Sequence, residues 1–140
     1  MIKLIVGTKG AGKTKTIVSM ANAAGESSNG NVVFVEKGMK LQYDLAPSVR
    51  LVDTEEYDIV GFEKCYGFLT GILAGNYDIT HMFVDGTFKI GGAERDLCGF
   101  GKMIDALAAH TEKSNVEIIF TVSCDASELP ENAKQYIINQ

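Results

Sequence analysis

Tryptophan is absent from this chain, and proline, histidine and cysteine are scarce at two, two and three residues in 140. Cys65, Cys98 and Cys124 are far apart, odd in number and without a CxxC or CxxH pair. That pattern excludes a disulfide framework and a zinc knuckle, and fits reduced thiols in a cytoplasmic protein. His81 and His110 have no partner at metal-ligand spacing and read as structural or surface residues. Arginine occurs only as Arg50 and Arg95, too few for the multi-arginine clamp of a lid-closing nucleotide kinase. No apolar run approaches the roughly 20 residues of a membrane span. The apolar start, Met1 to Val6, meets Gly7 too soon to be a secretory leader. Net charge is −5, which removes the global positive field that draws nucleic acid or anionic lipid.

What is present has the balance of a folded domain, with 46% hydrophobic and 22% charged residues. One domain over residues 1–140 is expected. Apolar, β-branched runs predict strands at Ile2–Val6, Val32–Glu36, Val49–Asp53, Ile79–Val84 and Val116–Ser123. Helical spacing predicts Lys13–Ala24 with Gly25 as its stop, Phe62–Ala74 closed by Gly75, and a helix through Leu97, Phe100, Ile104, Leu107 and Thr111. Pro130 opens a last short helix expected to end near Ile138. Residues 37–48 read as irregular or a short helix, Thr87–Gly92 as a glycine-containing loop, and Asp53-Thr54-Glu55-Glu56 as a solvated turn. Strands alternating with helices imply an α/β fold: a five-stranded, mainly parallel sheet with helices on both faces. Such sheets bind ligands beyond the carboxyl ends of their strands. Gly7, Glu36, Asp85 and Ser123 fall at or just after such ends.

The sharpest motif is Gly7-Thr8-Lys9-Gly10-Ala11-Gly12-Lys13-Thr14, a full match to GxxxxGK[ST] placed between a strand and a helix. Its glycines permit backbone angles that turn several N–H groups toward one anion at a helix N-terminus. Lys13 adds a charge for the β- and γ-phosphates, and the Thr14 hydroxyl can ligate Mg²⁺. The competing reading is a glycine-rich strand-to-helix turn with an incidental lysine.

On this loop the chain resembles the P-loop NTPase superfamily, of the RecA-like, additional-strand type, and two further segments extend the resemblance. Ile79-Thr80-His81-Met82-Phe83-Val84-Asp85 is similar to the second nucleotide-binding motif, which implies that Asp85 holds Mg²⁺ through water. The plain alternative is a strand-ending turn, since Asp-Gly is a common turn pair. Many such ATPases carry a glutamate directly after that acid, but Gly86 stands there. RecA-like recombinases and pilus-retraction or secretion ATPases carry it at the end of the second strand, which points to Glu36, closing Val32-Val33-Phe34-Val35-Glu36. Glu36 would orient or deprotonate water; the alternatives are a solvated strand end or a bond to a ribose hydroxyl. Ser123 falls where these enzymes keep a polar γ-phosphate sensor, or else simply caps its strand. The chain also resembles small bacterial P-loop proteins often labelled ATP-binding or twitching-motility-like. The resemblance implies a three-layer P-loop NTPase fold, with ATP and Mg²⁺ as its ligands.

No NKxD follows Asp85, so the guanine-reading contacts of GTPases are absent and ATP is the expected nucleotide. Lys9 lies two residues after Gly7 and does not match the signature lysine of partitioning ATPases. Arg95 is either a finger toward phosphate or a solvated residue paired with Glu94 or Asp96. Two function classes remain: a slow Mg-dependent ATPase acting through Lys13, Thr14, Asp85 and Glu36, or a nucleotide-dependent switch that scarcely hydrolyses. An unidentified protein partner or a homo-oligomer is compatible with both. A small-molecule kinase is a distant third.

Overall fold

A computed structural model describes residues 1–139. In chain order the elements are β1 (Ile2–Gly7), α1 (Lys13–Ser27), β2 (Asn31–Glu36), β3 (Val49–Asp53), α2 (Phe62–Gly75), β4 (Ile79–Val84), α3 (Thr87–Ile90), α4 (Leu97–Thr111), β5 (Glu117–Ser123) and α5 (Glu131–Lys134). Five strands pair in parallel in the order β1-β5-β4-β2-β3. Each parallel pair requires a crossover, so helices must cover the sheet and the strands must be apolar on both sides.

The two faces separate by simple alternation along each strand. Leu4 and Val6, Val33 and Val35, Met82 and Val84, and Ile118, Phe120 and Val122 pack with Phe62, Cys65 and Leu69 of α2 and Phe100, Ile104 and Leu107 of α4. The intervening residues Ile5, Val32, Phe34, Phe83 and Ile119 pack with Ile17, Ala21 and Ala24 of α1. The architecture is therefore α1, sheet, then α2 with α4. Each fully buried Leu, Ile or Phe contributes about 1.5–3 kcal/mol, so the α2–α4 side carries the greater part of the core.

Three expectations from the sequence are corrected. Helix α1 does not stop at Gly25 but continues to Ser27. A Cβ at Gly25 would stand 2.6 Å from Ser48 Oγ and 3.0 Å from Val49 Cγ2, so this glycine lets α1 approach the chain entering β3. Residues 87–92 are not simply a loop, because Thr87–Ile90 form the single helical turn α3. Phe88 of that turn packs edge-on against Phe62 and Phe100, with centroids 6.2 and 5.4 Å away. The last helix ends at Lys134 rather than near Ile138. Beyond it the chain lies along the free edge of β1: Leu4 N–H donates to Tyr136 O (2.9 Å) and Ile138 N–H to Leu4 O (3.0 Å). The Asn139 side chain continues the ladder by accepting from Val6 N–H and donating to Val6 O. The segment covers an edge that would otherwise offer unpaired backbone groups.

Candidate functional site

The loop Gly7–Thr14 leaves β1 and enters α1 through two left-handed residues, Gly10 at φ +89° and Gly12 at φ +81°. A side chain at either would strain the backbone. The Thr8 carbonyl accepts from Ala11 N–H (3.2 Å) and from Lys13 Nζ (3.0 Å). Lys13 thus folds across the loop, and only 8% of it is exposed. Gly7 permits this fold-back, because a Cβ there would stand 3.0 Å from that of Ala11 and 3.7 Å from Lys13 Cδ. Thr8, Lys9, Gly10, Ala11, Gly12 and Thr14 are all exposed. The result is an exposed glycine-rich turn at the start of a 15-residue helix, with a lysine drawn against it; a helix N-terminus carries free N–H groups that suit an anion.

Thr14, in the first turn of α1, faces Asp85 at the end of β4. Thr14 Oγ1 donates to the Asp85 carboxylate, at 3.3 Å from Oδ1 and 3.1 Å from Oδ2. These residues are 71 positions apart, joined because β5 alone separates β1 from β4. A third residue completes the group: Thr121 Oγ1 donates to Asp85 Oδ1 (2.6 Å) and accepts from Gly86 N–H (2.8 Å). Thr121 is 2% exposed and shares the α1 side of β5 with Ile119. The sequence reading missed it. Its signal is a single polar residue inside Glu117-Ile-Ile-Phe-Thr-Val-Ser123, hard to notice because threonine fits strands as well as valine does.

Glu36 closes β2 on the same side of the sheet as Phe34, and 5% of it is exposed. A strand-end glutamate in solvent is therefore not what is found. Its Oε2 accepts from Leu41 N–H at 3.0 Å. Burial pushes its carboxyl above the ordinary glutamate range, the Leu41 N–H opposes this, and the nearby Asp85 carboxylate adds to the rise. The segment expected as a solvated turn instead frames Glu36. Thr54 is fully buried and its N–H donates to Glu36 O at 2.9 Å. Asp53 accepts from Gly38 N–H (2.7 Å) and Glu55 N–H (2.8 Å).

Ser123 is exposed and lies beside Gly7 in the β1–β5 register. Arg95 pairs with neither Glu94 nor Asp96. It forms an ion pair with Glu128 at 2.6 Å, its guanidinium lying 5.7 Å from the Phe88 ring centroid. Asp96 instead caps α4 by accepting from Gly99 N–H at 2.8 Å. His81 bridges Thr80 and Glu117 near the start of β4, remote from the carboxyl ends.

Gly7, Glu36, Asp85, Thr121 and Ser123 thus share one face at the carboxyl ends of four strands. Surface depressions lie elsewhere: 690 Å³ beside the N-terminal halves of α2 and α4, and 560 Å³ near Tyr77 and His110. Neither includes any of these residues. The hydroxyl of Thr14 and the carboxylate of Asp85 are oxygen donors suited to Mg²⁺, which takes few protein ligands and completes its shell with water and phosphate. Among the described residues no cluster of three or more His, Cys, Asp or Glu forms a metal cage. No protein-family model matches the chain, and curated proteins yield no significant match to it.

Proposed function

We propose that this chain is a P-loop NTPase that binds Mg-ATP and hydrolyses its β–γ anhydride slowly. The observation that carries the reading is the Thr14–Asp85 hydrogen bond, which joins the two motifs that the metal-bound triphosphate of such a protein requires. The Gly7–Thr14 N–H groups and Lys13 would hold the β- and γ-phosphates, while Thr14 and Asp85 would hold Mg²⁺. The metal's contribution is to neutralise charge that develops on the phosphate oxygens. Thr121 fixes the carboxylate of Asp85 and so sets its direction. Glu36 is the base: a carboxyl raised toward neutral pH accepts a proton from water more readily than an ordinary glutamate. Ser123, beside Gly7 in the β1–β5 register, would meet the terminal phosphate. ATP rather than GTP follows from the missing NKxD.

One observation favours a second reading, a switch that binds nucleotide without turning it over. Gly86 leaves no side chain immediately after Asp85, and Glu36 already spends one carboxylate oxygen on Leu41 N–H. Phosphate release by wild type and Glu36→Gln separates the two. If Glu36 is the base, the variant keeps ATP binding and loses turnover by about 10²- to 10⁴-fold. Turnover that survives in Glu36→Gln removes Glu36 from the chemistry. Absence of release from wild type, with or without cell extract as a source of activator, favours the switch.

A further inference from the structure

Gly86 is anomalous as a member of the second motif, and its surroundings supply a reason. Its φ is +65°, where L side chains are strained. The space a side chain would need is already taken, because a Cβ there would meet Lys89 Cδ at 3.3 Å, Cγ at 3.8 Å and Cε at 3.9 Å. The stem of Lys89 therefore lies folded back over Gly86, with the ammonium one bond beyond Cε. Its backbone closes the same turn, Lys89 N–H donating to Gly86 O at 2.9 Å.

The turn bearing this lysine is firmly seated. Thr87 and Ile90 are 0% and 1% exposed, Phe88 packs on Phe62 and Phe100, and Ile90 O accepts from Gly61 N–H at 2.9 Å. Gly86 itself is tied through Thr121 to Asp85. Lys89 is nonetheless exposed and forms no ion pair among the described residues, although its stem rests on the residue that follows Asp85. Arg95 is held by Glu128 and by the Phe88 ring, whereas Lys89 is uncommitted. A cation on a fixed turn directly after Asp85, which itself bonds Thr14 at the end of the Gly7–Thr14 loop, suits an anion that reaches Asp85.

We propose that Lys89 is a terminal-phosphate ligand, a second cation that distinguishes a nucleoside triphosphate from a diphosphate, with Gly86 as its seat. This rests on the nucleotide reading of the Gly7–Thr14 loop. In a nucleotide seated on that loop the backbone N–H groups and Lys13 would hold the β- and γ-phosphates. The γ-phosphate, which a diphosphate lacks, would be the group next to Asp85, since Asp85 bonds Thr14 beside Lys13. Lys89 thus acts on ATP and scarcely on ADP. It also supplies, from within the chain, the charge that a phosphate-transferring site with few arginines otherwise lacks.

The test is calorimetric titration of wild type, Lys89→Met, Lys89→Arg and Lys13→Ala with ATP and with ADP, each with Mg²⁺. Lys89 is exposed, so its replacement leaves the fold intact. Lys89→Met should weaken ATP by roughly tenfold, the worth of one charge-assisted hydrogen bond, and change ADP by less than about twofold. Lys89→Arg should restore most of the preference for ATP. An unchanged ATP-to-ADP ratio in Lys89→Met, or equal losses for both nucleotides, overturns the assignment while leaving the nucleotide reading intact. If wild type binds neither nucleotide, or Lys13→Ala binds both as wild type does, the nucleotide reading fails and the Lys89 assignment falls with it.

Discussion

The two faces of the sheet end differently. Toward α2 and α4 the strands stay apolar to their last inward position, at Val6, Val35, Val84 and Val122, all in one core cluster. Toward α1 the very next residues are Gly7, Glu36, Asp85 and Ser123. A shift of one residue in any strand would exchange the two sets. The contrast teaches a division of labour: one face concentrates burial, and so the ends of the other can hold hydroxyls and carboxylates near solvent. The α1 core is smaller, with Ile17, Ala21 and Ala24 as the helix's buried apolar contribution, and the Gly7–Thr14 loop is the entrance to that same helix.

The strongest way to break this comparison is to damage the apolar side. Phe120 is fully buried among α2 and α4 residues. Phe120→Ala should cost about 3–5 kcal/mol in urea unfolding, with nucleotide affinity unchanged per folded molecule. A loss of affinity larger than the loss of folded protein would show that the faces are not independent. Thr121→Val, next along the strand, should give the converse. It nearly preserves shape but removes both the acceptor for Gly86 N–H and the donor to Asp85, costing about 1–3 kcal/mol. Its affinity for Mg-ATP should fall, and its affinity for metal-free ATP much less. Equal loss in both conditions would reduce Thr121 to a structural role.

The smallest expected effect is a pH dependence. Glu36 holds its proton more tightly in the folded chain than in the unfolded one. Wild type is therefore penalised progressively as pH rises through and above the ordinary glutamate range, near 4.3. Glu36→Gln can still accept from Leu41 N–H but avoids burying a charge. Its thermal midpoint should gain on wild type as pH rises above the ordinary glutamate range, near 4.3, and the gain should level off above the raised folded-state pKa of Glu36. A constant difference, or one that shrinks with pH, would mean that burial of Glu36 does not oppose its ionisation.

Much of this arrangement is legible along the chain, because the strands are short apolar runs closed by a polar residue or glycine, and the loop is a contiguous motif. What escaped the sequence depends on contacts between segments. Gly25 looks like a helix stop until Ser48 and Val49 are seen against it. Thr121 is an ordinary strand residue until Asp85 and Gly86 meet it across the β4–β5 pair. Thr54 belongs to an acidic run but is drawn inward by its backbone bond to Glu36. Arg95 finds its partner 33 residues away rather than next door. Near neighbours in the sequence predicted all five strands to within a residue at either end; they carry no information about pairs brought together by the sheet order.

The question that matters most is whether the Gly7–Thr14 loop binds a triphosphate, and thermal unfolding of wild type and Lys13→Ala with and without Mg-ATP answers it most directly. Ligand at about 100 times its Kd stabilises a folded protein by about 2.7 kcal/mol. Wild type should show a clear rise in midpoint, and Lys13→Ala, still folded by circular dichroism, should lose most of it. Equal rises in both proteins, or no rise in wild type at saturating Mg-ATP, would contradict the assignment of this loop.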